Sequence, residues 1–258
     1  MKKFSEEVTA RIDGNGQDSA LKQSAHGFLL ESLRTQYSYN FSWLGRPVIQ
    51  YPQDIVAMQE LIWTVQPDLI VETGIAHGGS LILSASMLEL NAACGGNPDA
   101  RVLGIDIDIR PHNREAILAH PMAKRIDMIQ GSSIAPEIIE QVRSRAAGMP
   151  RVLVCLDSNH THDHVLAELE AYAPLTSAGS YCVVFDTVVE DIPKALSGAR
   201  PWGPGDNPKT AVREYLRRIT EEGRMALDGR PLSLEIDKTV EHKLLISVAP
   251  DGYLHRPG

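Results

Sequence analysis

The sequence predicts a doubly wound α/β fold with a mostly parallel sheet, and three observations support this. Five short apolar runs between residues 68 and 187 alternate with segments whose apolar residues recur at helical spacing. Each run is nearly continuous, which is typical of parallel strands covered by helices on both faces. Near the carboxyl end, two further strand candidates, SLEID and LLISVAP, are close enough in sequence to form an antiparallel pair.

The elements follow one another in a regular order from residue 54 onwards. A helix with the sequence DIVAMQELIWTVQ precedes the first strand, DLIVET. Helix and strand then alternate as SLILSASMLELNAA, ARVLGIDID, REAILAH, RIDMIQG, APEIIEQVRSRAAG, RVLVCLD, HVLAELEAYAPL and GSYCVVFDT. The loop PWGPGDNPKTA leads into a last long helix, which we expect to end near Gly223.

No Ser/Gly-rich or Pro-rich linker divides the 258 residues, so we expect one domain over residues 51–258 with an extension over residues 1–50. The extension is polar and is predicted to be irregular. Its aromatic group is too apolar to remain free in solvent, and we expect the extension to form a lid over a cleft or a contact in a homo-oligomer. The aromatic residues are Phe28, Tyr37, Tyr39, Phe41 and Trp43.

Composition and charge argue against several classes of protein. The formal net charge is -8 and the basic residues are scattered, which disfavours binding to nucleic acid or to anionic membranes. No segment reaches the roughly 20 apolar residues of a membrane span, and the first residues lack the apolar region of a signal peptide, so we expect a cytoplasmic protein. The three cysteines, Cys94, Cys155 and Cys182, show no CxxC spacing and predict neither a disulfide nor a metal–thiolate site.

The first strand runs into the turn VETGIAHGGS, and open α/β sheets bind their ligands where the strands end. The glycines permit close backbone approach, but the dinucleotide spacing G-x-G-x-x-G is absent. Glu72 would oppose a pyrophosphate and would suit a cation. S-adenosylmethionine, with ammonium and sulfonium groups and no phosphate, therefore fits better than NAD. We assign Glu72, Gly74, Ala76 and Ser80 to this cofactor; a tight turn without a ligand is the alternative.

The next two strand ends supply further candidates for the cofactor. Asp106 ends the second strand, where a carboxylate can accept hydrogen bonds from both hydroxyl groups of a ribose. Asp108 is a second candidate for the ribose, but it could instead pair with Arg110 or cap the next segment. Ser132 and Ser133 follow the third strand and suit an adenine edge, although either could cap the following helix.

Several of these segments resemble those of a known protein family. They are VETGIAHGGS, LGIDIDIRPHNR, QGSSIAPEI, LDSNHTHDHVLAEL and SYCVVFDTVVED, with FSWLG before them and PWGPGDNPKTAV after them. Over about residues 35–255 the chain resembles the cephalosporin hydroxylase family, also named for rhamnosyl O-methyltransferases. The resemblance implies the Rossmann-like class I methyltransferase fold, S-adenosylmethionine as cofactor and often a magnesium ion. No iron triad of an oxygenase is seen, despite the word hydroxylase.

The densest polar cluster of the chain, LDSNHTHDH, follows the fourth strand. Asp157 ends this strand and Asp186 ends the next one, so the two carboxylates should lie near each other. They would repel each other unless a cation lies between them, and a hard divalent ion such as Mg²⁺ suits carboxylate ligands. We therefore expect a metal site at Asp157 and Asp186, and we also assign Asp157 to the cofactor.

This arrangement is similar to the metal-dependent catechol O-methyltransferase group, which has an aspartate after strand four, an Asp-Asn pair after strand five and a lysine base. The resemblance places His160 at the base position, and histidine suits general base catalysis near neutral pH. A capping or stacking role is the alternative for this histidine. Thr187 stands where the asparagine would be and is a poorer ligand, so Glu190 or Asp191 could complete the site.

Three features of this region have alternative interpretations. A shifted register would place Phe185 at the first carboxylate of the pair and leave only Asp186. The segment around His162 and His164 looks like a contracted H-x-H-x-D-H signature of metallo-β-lactamase-like hydrolases, but one residue is missing, and we expect both histidines in the first turn of a helix. The loop around Trp202 could close over an acceptor or be a surface excursion.

The sequence therefore predicts an S-adenosylmethionine-dependent O-methyltransferase assisted by a divalent metal. We expect it to act on a hydroxyl group of a small molecule or a sugar in natural-product or surface-glycan biosynthesis. One alternative is an accessory protein that binds the cofactor without transferring the methyl group. The other is a metallo-hydrolase.

Overall fold

A seven-stranded sheet lies at the centre of the computed structural model, which describes residues 2–258. The strands are β1 Phe41–Trp43, β2 Arg46–Val48, β3 Leu69–Thr73, β4 Arg101–Asp106, β5 Ile126–Gln130, β6 Val152–Leu156, β7 Tyr181–Val184, β8 Glu235–Ile236 and β9 Tyr253–His255. The helices are α1 Lys2–Gln17, α2 Ser19–Arg34, α3 Pro52–Val65, α4 Gly79–Ala93, α5 Pro111–Leu118, α6 Pro136–Ala146, α7 His162–Tyr172, α8 Lys194–Ser197, α9 Pro208–Glu222 and α10 Lys238–Leu244.

The sheet has the strand order β5-β4-β3-β6-β7-β9-β8, and β1 and β2 form a separate hairpin. β3 to β7 are parallel, whereas β9 is antiparallel to both β7 and β8. The predicted fold class, a mostly parallel doubly wound sheet with an antiparallel pair at its carboxyl-terminal end, is confirmed. The winding reverses between β3 and β6, and such a reversal creates the crevice where open α/β sheets bind ligands.

Helices cover both faces of the sheet because the apolar side chains of the parallel strands alternate between two clusters. All five residues of β3 are buried, which explains its continuous apolar run. Ile70 packs in one cluster with Met58 of α3 and Ile82 of α4. Val71 faces the other cluster, which includes Leu169 of α7.

Two predictions about the ends of the chain are wrong. Residues 2–50 of the extension are not irregular but form α1, α2 and the β1–β2 hairpin, and the side chain of Asp18 caps the start of α2. The segment LLISVAP is not a strand, because α10 ends within it and β9 pairs with β8 in its place. Its backbone turns at Leu245, which has φ of 62°, and Val248 N donates to the side chain of Asp54 instead of to a strand.

The aromatic residues of the extension pack against the rest of the chain. The ring of Tyr37 lies edge-to-face with Phe41, with 5.0 Å between centroids, and 5.8 Å from Tyr51. Trp43 Nε1 donates to Ser86 Oγ of α4 at 2.9 Å, so the β1–β2 hairpin rests on α4. These contacts show that the aromatic residues pack within the chain, while the lid and the homo-oligomer stay predictions.

In residues 2–258, no helix combines the length and the apolar character that crossing a membrane requires. The three cysteines are free. Cys155 and Cys182 are buried, and Cys94 is exposed.

Asp54 of α3 is completely buried and joins this helix to the carboxyl-terminal segment. Its carboxylate accepts hydrogen bonds from Ser247 Oγ at 2.6 Å, Val248 N at 3.0 Å and Tyr253 OH at 2.7 Å. Burial raises the pKa of Asp54 to about 6, although the three hydrogen bonds oppose the rise. Because an unfolded aspartate has a pKa of about 4, the folded chain holds this proton more tightly than the unfolded chain does.

We expect Asp54→Ala to lower the free energy of unfolding by about 3 kcal/mol at a pH of about 4, since three buried donors lose their acceptor. This cost should shrink as the pH rises from about 4 to 7, because the stabilisation from a raised carboxyl pKa is present below the unfolded pKa and is lost as the pH passes the folded one. Urea unfolding at several pH values measures both effects. Asp99→Ala, at an exposed aspartate, is the control. A cost that does not vary with pH would contradict the raised pKa.

Candidate active site

The structure brings the predicted site residues to one edge of the sheet, at or just beyond the carboxyl ends of β3 to β7. Thr73 and Leu156 are partners in the register of β3 and β6, so the ends of these two strands are level at the crevice. The residues at this edge are Glu72, Gly74, Ala76, Ser80, Asp106, Ser132, Ser133, Asp157, His160 and Asp186.

The turn after β3 approaches the end of β6 closely. Asp157 N donates to Thr73 O at 3.0 Å. Gly74 has φ of +87°, and a Cβ atom on it would lie 2.1 Å from Asp157 O, so no other residue fits there. On the other side of the turn, a Cβ atom on Gly79 would lie 2.1 Å from Pro47 O. The glycines therefore let both the β6 loop and the β1–β2 hairpin close on this turn.

Asp106 holds the same turn from the end of β4. Its Oδ2 accepts from Ile75 N at 2.8 Å and Ala76 N at 3.2 Å, and its Oδ1 accepts from Asp108 N at 2.9 Å. Each carboxylate oxygen can accept about two hydrogen bonds, so Oδ1 keeps capacity for a ribose hydroxyl. Asp108 lies 4.0 Å from Arg110, in accord with the pairing considered for it.

The two serines after β5 differ in their surroundings. Ser133 is buried, its Oγ lies 3.1 Å from His164 Nε2, and its carbonyl accepts from Tyr172 OH. Ser132 is partly exposed. Helix α6 begins after Ala135 without a side-chain cap, so neither serine caps it.

Glu72 is buried at the end of β3, with 3% of its surface exposed. Ser84 Oγ donates to Glu72 Oε2 at 3.4 Å, while Glu72 Oε1 has no hydrogen-bond partner within residues 2–258. Burial raises the pKa of Glu72 to about 7, and the nearby hydroxyl groups of Ser80 and Ser84 oppose the rise. A buried carboxyl group with an unused oxygen is stabilised in its charged form by a nearby cation.

Asp157, His160 and Asp186 form a second group, which could hold a metal ion. One ligand atom from each residue lies within 4.8 Å of the others. His160 Nε2 is 3.2 Å from Asp186 Oδ2. Burial raises the pKa of Asp157 well above its usual value, and the negative charge of Asp186 adds to the rise. Two close carboxylates with this energetic penalty, next to an imidazole, fit a divalent cation.

The side chains of the other three candidate ligands have hydrogen-bond or ion-pair partners in neighbouring segments. Thr187 Oγ1 donates to Pro250 O at 2.6 Å. Glu190 Oε2 accepts from a backbone N–H and a side-chain amide of the loop before α9. Asp191 pairs with Lys209 at 2.5 Å. These three residues therefore fix the loops around the metal-ligand group, and among residues 2–258 Glu190 and Asp191 do not belong to it.

His162 and His164 lie in the first turn of α7, as expected. His162 Nδ1 is 2.8 Å from Thr210 Oγ1, and His164 Nε2 is 3.2 Å from Ser158 Oγ. Neither histidine belongs to the metal-ligand group found in the part of the chain that the structure describes. The contracted hydrolase signature is therefore not assembled into a metal site.

The loop around Trp202 covers the His160 side of this group. The indole ring lies edge-to-face with His160, with 4.8 Å between centroids and 82° between planes. Arg200 lies 5.6 Å above the Trp202 ring and donates to Tyr39 OH at 3.2 Å. The loop thus joins the extension to the site and supports the interpretation of a cover, and His160 has both an aromatic neighbour and a carboxylate neighbour.

The prediction from sequence missed two residues at this edge. Gln50, between β2 and α3, and Ser84 of α4 line a cavity together with Glu72 and Asp157. Ser84 could have been found, because it lies one helical turn after Ser80 and shares its face of α4. Gln50 carries no such signal, since it lies outside the alternation of strands and helices.

A parallel sheet of this strand order, with a glycine-containing turn after its central strand and acidic residues after the neighbouring strands, defines the class I methyltransferase fold. The chain belongs to the Rhamnosyl O-methyltransferase/CmcI family, which matches residues 35–257. The predicted family and the predicted enzyme class, S-adenosylmethionine-dependent O-methyltransferases, are confirmed.

One curated relative and two solved structures illustrate the similarity. A rhamnosyl O-methyltransferase of Mycobacterium bovis (strain BCG / Pasteur 1173P2) is 31% identical over 207 residues, covering 79% of this chain and 73% of the relative. The structure of CmcI-D160 with Mg and SAM has a TM-score of 0.53 at 18% identity and covers 85% of this chain and 78% of its own. MycE is a methyltransferase of the mycinamycin biosynthetic pathway, solved in complex with Mg, SAH and mycinamycin VI. The similarity has a TM-score of 0.50 at 18% identity and covers 89% of this chain and 53% of the MycE chain.

Proposed function

We propose that this chain transfers the methyl group of S-adenosylmethionine to a hydroxyl group of a small molecule or a sugar. The grouping of Asp157, His160 and Asp186 next to the turn of Glu72 and Gly74 carries this proposal. A cation site and a proton acceptor formed by these residues would lie at the crevice where ligands of this fold class bind. Membership of the family and the names of its curated relatives support O-methyl transfer.

On the cofactor side, S-adenosylmethionine would supply the methyl group from a positively charged sulfonium. The carboxyl group of Glu72 is placed for the α-ammonium group, and Gly74 lets the turn approach the cofactor. Oδ1 of Asp106 retains capacity for a ribose hydroxyl. Ser132 is the better candidate for the adenine edge, because the Ser133 hydroxyl already faces His164. The similar structures of CmcI with SAM and MycE with SAH agree with this choice of cofactor.

Asp157 and Asp186 would hold a divalent cation such as Mg²⁺. When bound, such a cation acts as a Lewis acid that lowers the pKa of a coordinated hydroxyl group. The two carboxylates provide negative charge at a fixed spacing, and the cation relieves the repulsion that raises the pKa of Asp157. Both CmcI and MycE have been solved with Mg.

His160 is the proposed general base. An alcohol is a weak nucleophile at neutral pH, so its proton must be removed as the methyl group is transferred. The imidazole can accept this proton, and the carboxylate of Asp186 at 3.2 Å would stabilise the resulting positive charge. The indole ring of Trp202 contacts the imidazole ring of His160 from another side and limits its orientation. Both neighbours therefore orient His160 for proton transfer.

The acceptor side and the biological setting are also proposals. The Trp202 loop lies against His160, where it can close over an acceptor. Trp202 Nε1 is buried and has no partner within residues 2–258, so it can donate to an acceptor oxygen. The relatives are named for rhamnosyl substrates and MycE for an antibiotic pathway, which supports a role in surface-glycan or natural-product biosynthesis. We propose a homo-oligomer in the cytoplasm.

Methyl transfer from radiolabelled S-adenosylmethionine tests the function directly. We expect transfer to one of a panel of rhamnosides, other sugars, phenols and antibiotic precursors, stronger with Mg²⁺ than after treatment with a chelator. Labelled product that survives mild base distinguishes an O-methyl ether from a methyl ester. Cofactor binding without transfer to any acceptor class would favour the accessory protein instead.

Metal binding is tested by thermal unfolding with and without Mg²⁺ or Mn²⁺. We expect the metal to raise the Tm of the wild-type protein but not that of Asp157→Asn, which loses a charged ligand. In chelator the Asp157→Asn protein should be at least as stable as the wild type, because the substitution removes a charge that desolvation and the neighbouring Asp186 disfavour.

The matched control for this experiment is Asp163→Asn, at an exposed aspartate in the first turn of α7. It should keep the full increase in Tm. An equal increase in all three proteins would show that the ion binds elsewhere.

Removal of the imidazole tests the base. We expect His160→Ala to lower kcat by about 10²–10⁴-fold, with little change in the affinity for the cofactor. His112→Ala, at an exposed histidine of α5, is the control. An unchanged kcat would leave His160 with a packing role against Trp202.

A further inference from the structure

A small cavity lies between the ends of β3 and β6 and the last residue of the extension. Its volume is about 10 Å³, which is close to the space that one water-sized group needs. The polar part of its lining consists of Gln50, Glu72, Ser80, Ser84 and Asp157. The cavity therefore combines the size of a single small polar group with a lining rich in oxygen atoms.

Two of these oxygen atoms are buried without a hydrogen-bond partner. Gln50 is 4% exposed and Glu72 is 3% exposed, and Oε1 of each has no donor within residues 2–258. A buried acceptor that lost its water on folding and gained no donor is destabilising. Because both residues line the same cavity, one group placed there could satisfy both acceptors.

The acceptors in the lining indicate how many hydrogen-bond donors and what charge this group should have. Gln50 and Glu72 supply two acceptors, and the carboxylate of Asp157 supplies a third. Water has two hydrogens to donate and carries no charge, so it satisfies at most two of the three. An ammonium group has three N–H donors and a positive charge, which two neighbouring carboxyl groups favour. Its head is also about the size of a water molecule.

We infer that the Gln50 side chain binds the α-ammonium group of the cofactor's amino-acid end, together with Glu72 and Asp157. The inference rests on the proposed function, in which this chain uses S-adenosylmethionine. It makes the extension part of the cofactor site, because Gln50 is its last residue and follows the hairpin that lies on α4. Gln50 then selects for cofactor molecules that carry an intact amino-acid end.

A pair of ligands separates this role from a general effect on folding. S-adenosylhomocysteine has the amino-acid end, whereas 5′-methylthioadenosine has the same nucleoside and thioether sulfur without it. We expect Gln50→Met, which keeps the length of the side chain and removes the amide, to weaken binding of S-adenosylhomocysteine by about tenfold and to change that of 5′-methylthioadenosine by less than about twofold. Titration calorimetry on the full chain measures both.

Two further variants make the result decisive. Gln53→Met is the matched control, because Gln53 Oε1 is also buried without a partner but Gln53 does not line the cavity. It should bind both ligands as the wild type does. Gln50→Asn keeps an amide on a shorter side chain that does not reach the cavity. If Gln50→Met does not fold, Gln50→Asn should show the same selective weakening of S-adenosylhomocysteine binding.

The outcomes separate this inference from the function on which it rests. Equal weakening of both ligands, or no weakening of either, overturns the role of Gln50 while the wild-type protein still binds S-adenosylhomocysteine. A wild-type protein that binds neither S-adenosylmethionine nor S-adenosylhomocysteine overturns the proposed function and this inference together.

Discussion

The carboxyl edge of the sheet holds acidic side chains that basic partners among residues 2–258 do not fully neutralise. Glu72, Asp157 and Asp186 lie at or beyond the ends of three adjacent strands, and the buried Asp54 acts on the same group. Within residues 2–258 their ion-pair partner is His160, 3.2 Å from Asp186 Oδ2. Burial raises the pKa of Asp54, Glu72 and Asp157. Groups of this kind either take up protons or bind cations, and the proposed chemistry follows from this choice.

The convergence of these carboxylates is a consequence of topology. β3, β6 and β7 are neighbours in register, although their sequences are separated by other elements, so residues that follow them meet at one edge. The approach is closest at Gly74, where a Cβ atom would lie 2.1 Å from Asp157 O. A turn this close to the β6 loop brings the proposed cofactor and metal positions side by side. The same backbone contact would therefore serve both proposed binding functions.

The sequence predicted the parallel strands and the residues at their ends, because buried parallel strands are continuous apolar runs whose ends are easy to locate. It could not predict Gln50 or the position of Trp202 against His160, since both depend on how loops pack over the sheet. It mistook LLISVAP for a strand, because its apolar residues pack without strand pairing and Asp54 takes a backbone donor. Local patterns thus defined the sheet, whereas long-range contacts defined what covers it.

The charges of the proposed site can be balanced group by group. Glu72, Asp157 and Asp186 supply three negative charges when ionised, and a divalent cation with one α-ammonium group supplies three positive charges. The sulfonium and the carboxylate of the cofactor cancel each other. Asp157 has two oxygens and lines the Gln50 cavity as well as the metal-ligand group, so it can serve both cations. Methyl transfer from a sulfonium to a hydroxyl group converts the cofactor's positive charge into a released proton. His160, 3.2 Å from Asp186, is the proposed acceptor of that proton, which would keep the charge within the site until the product leaves.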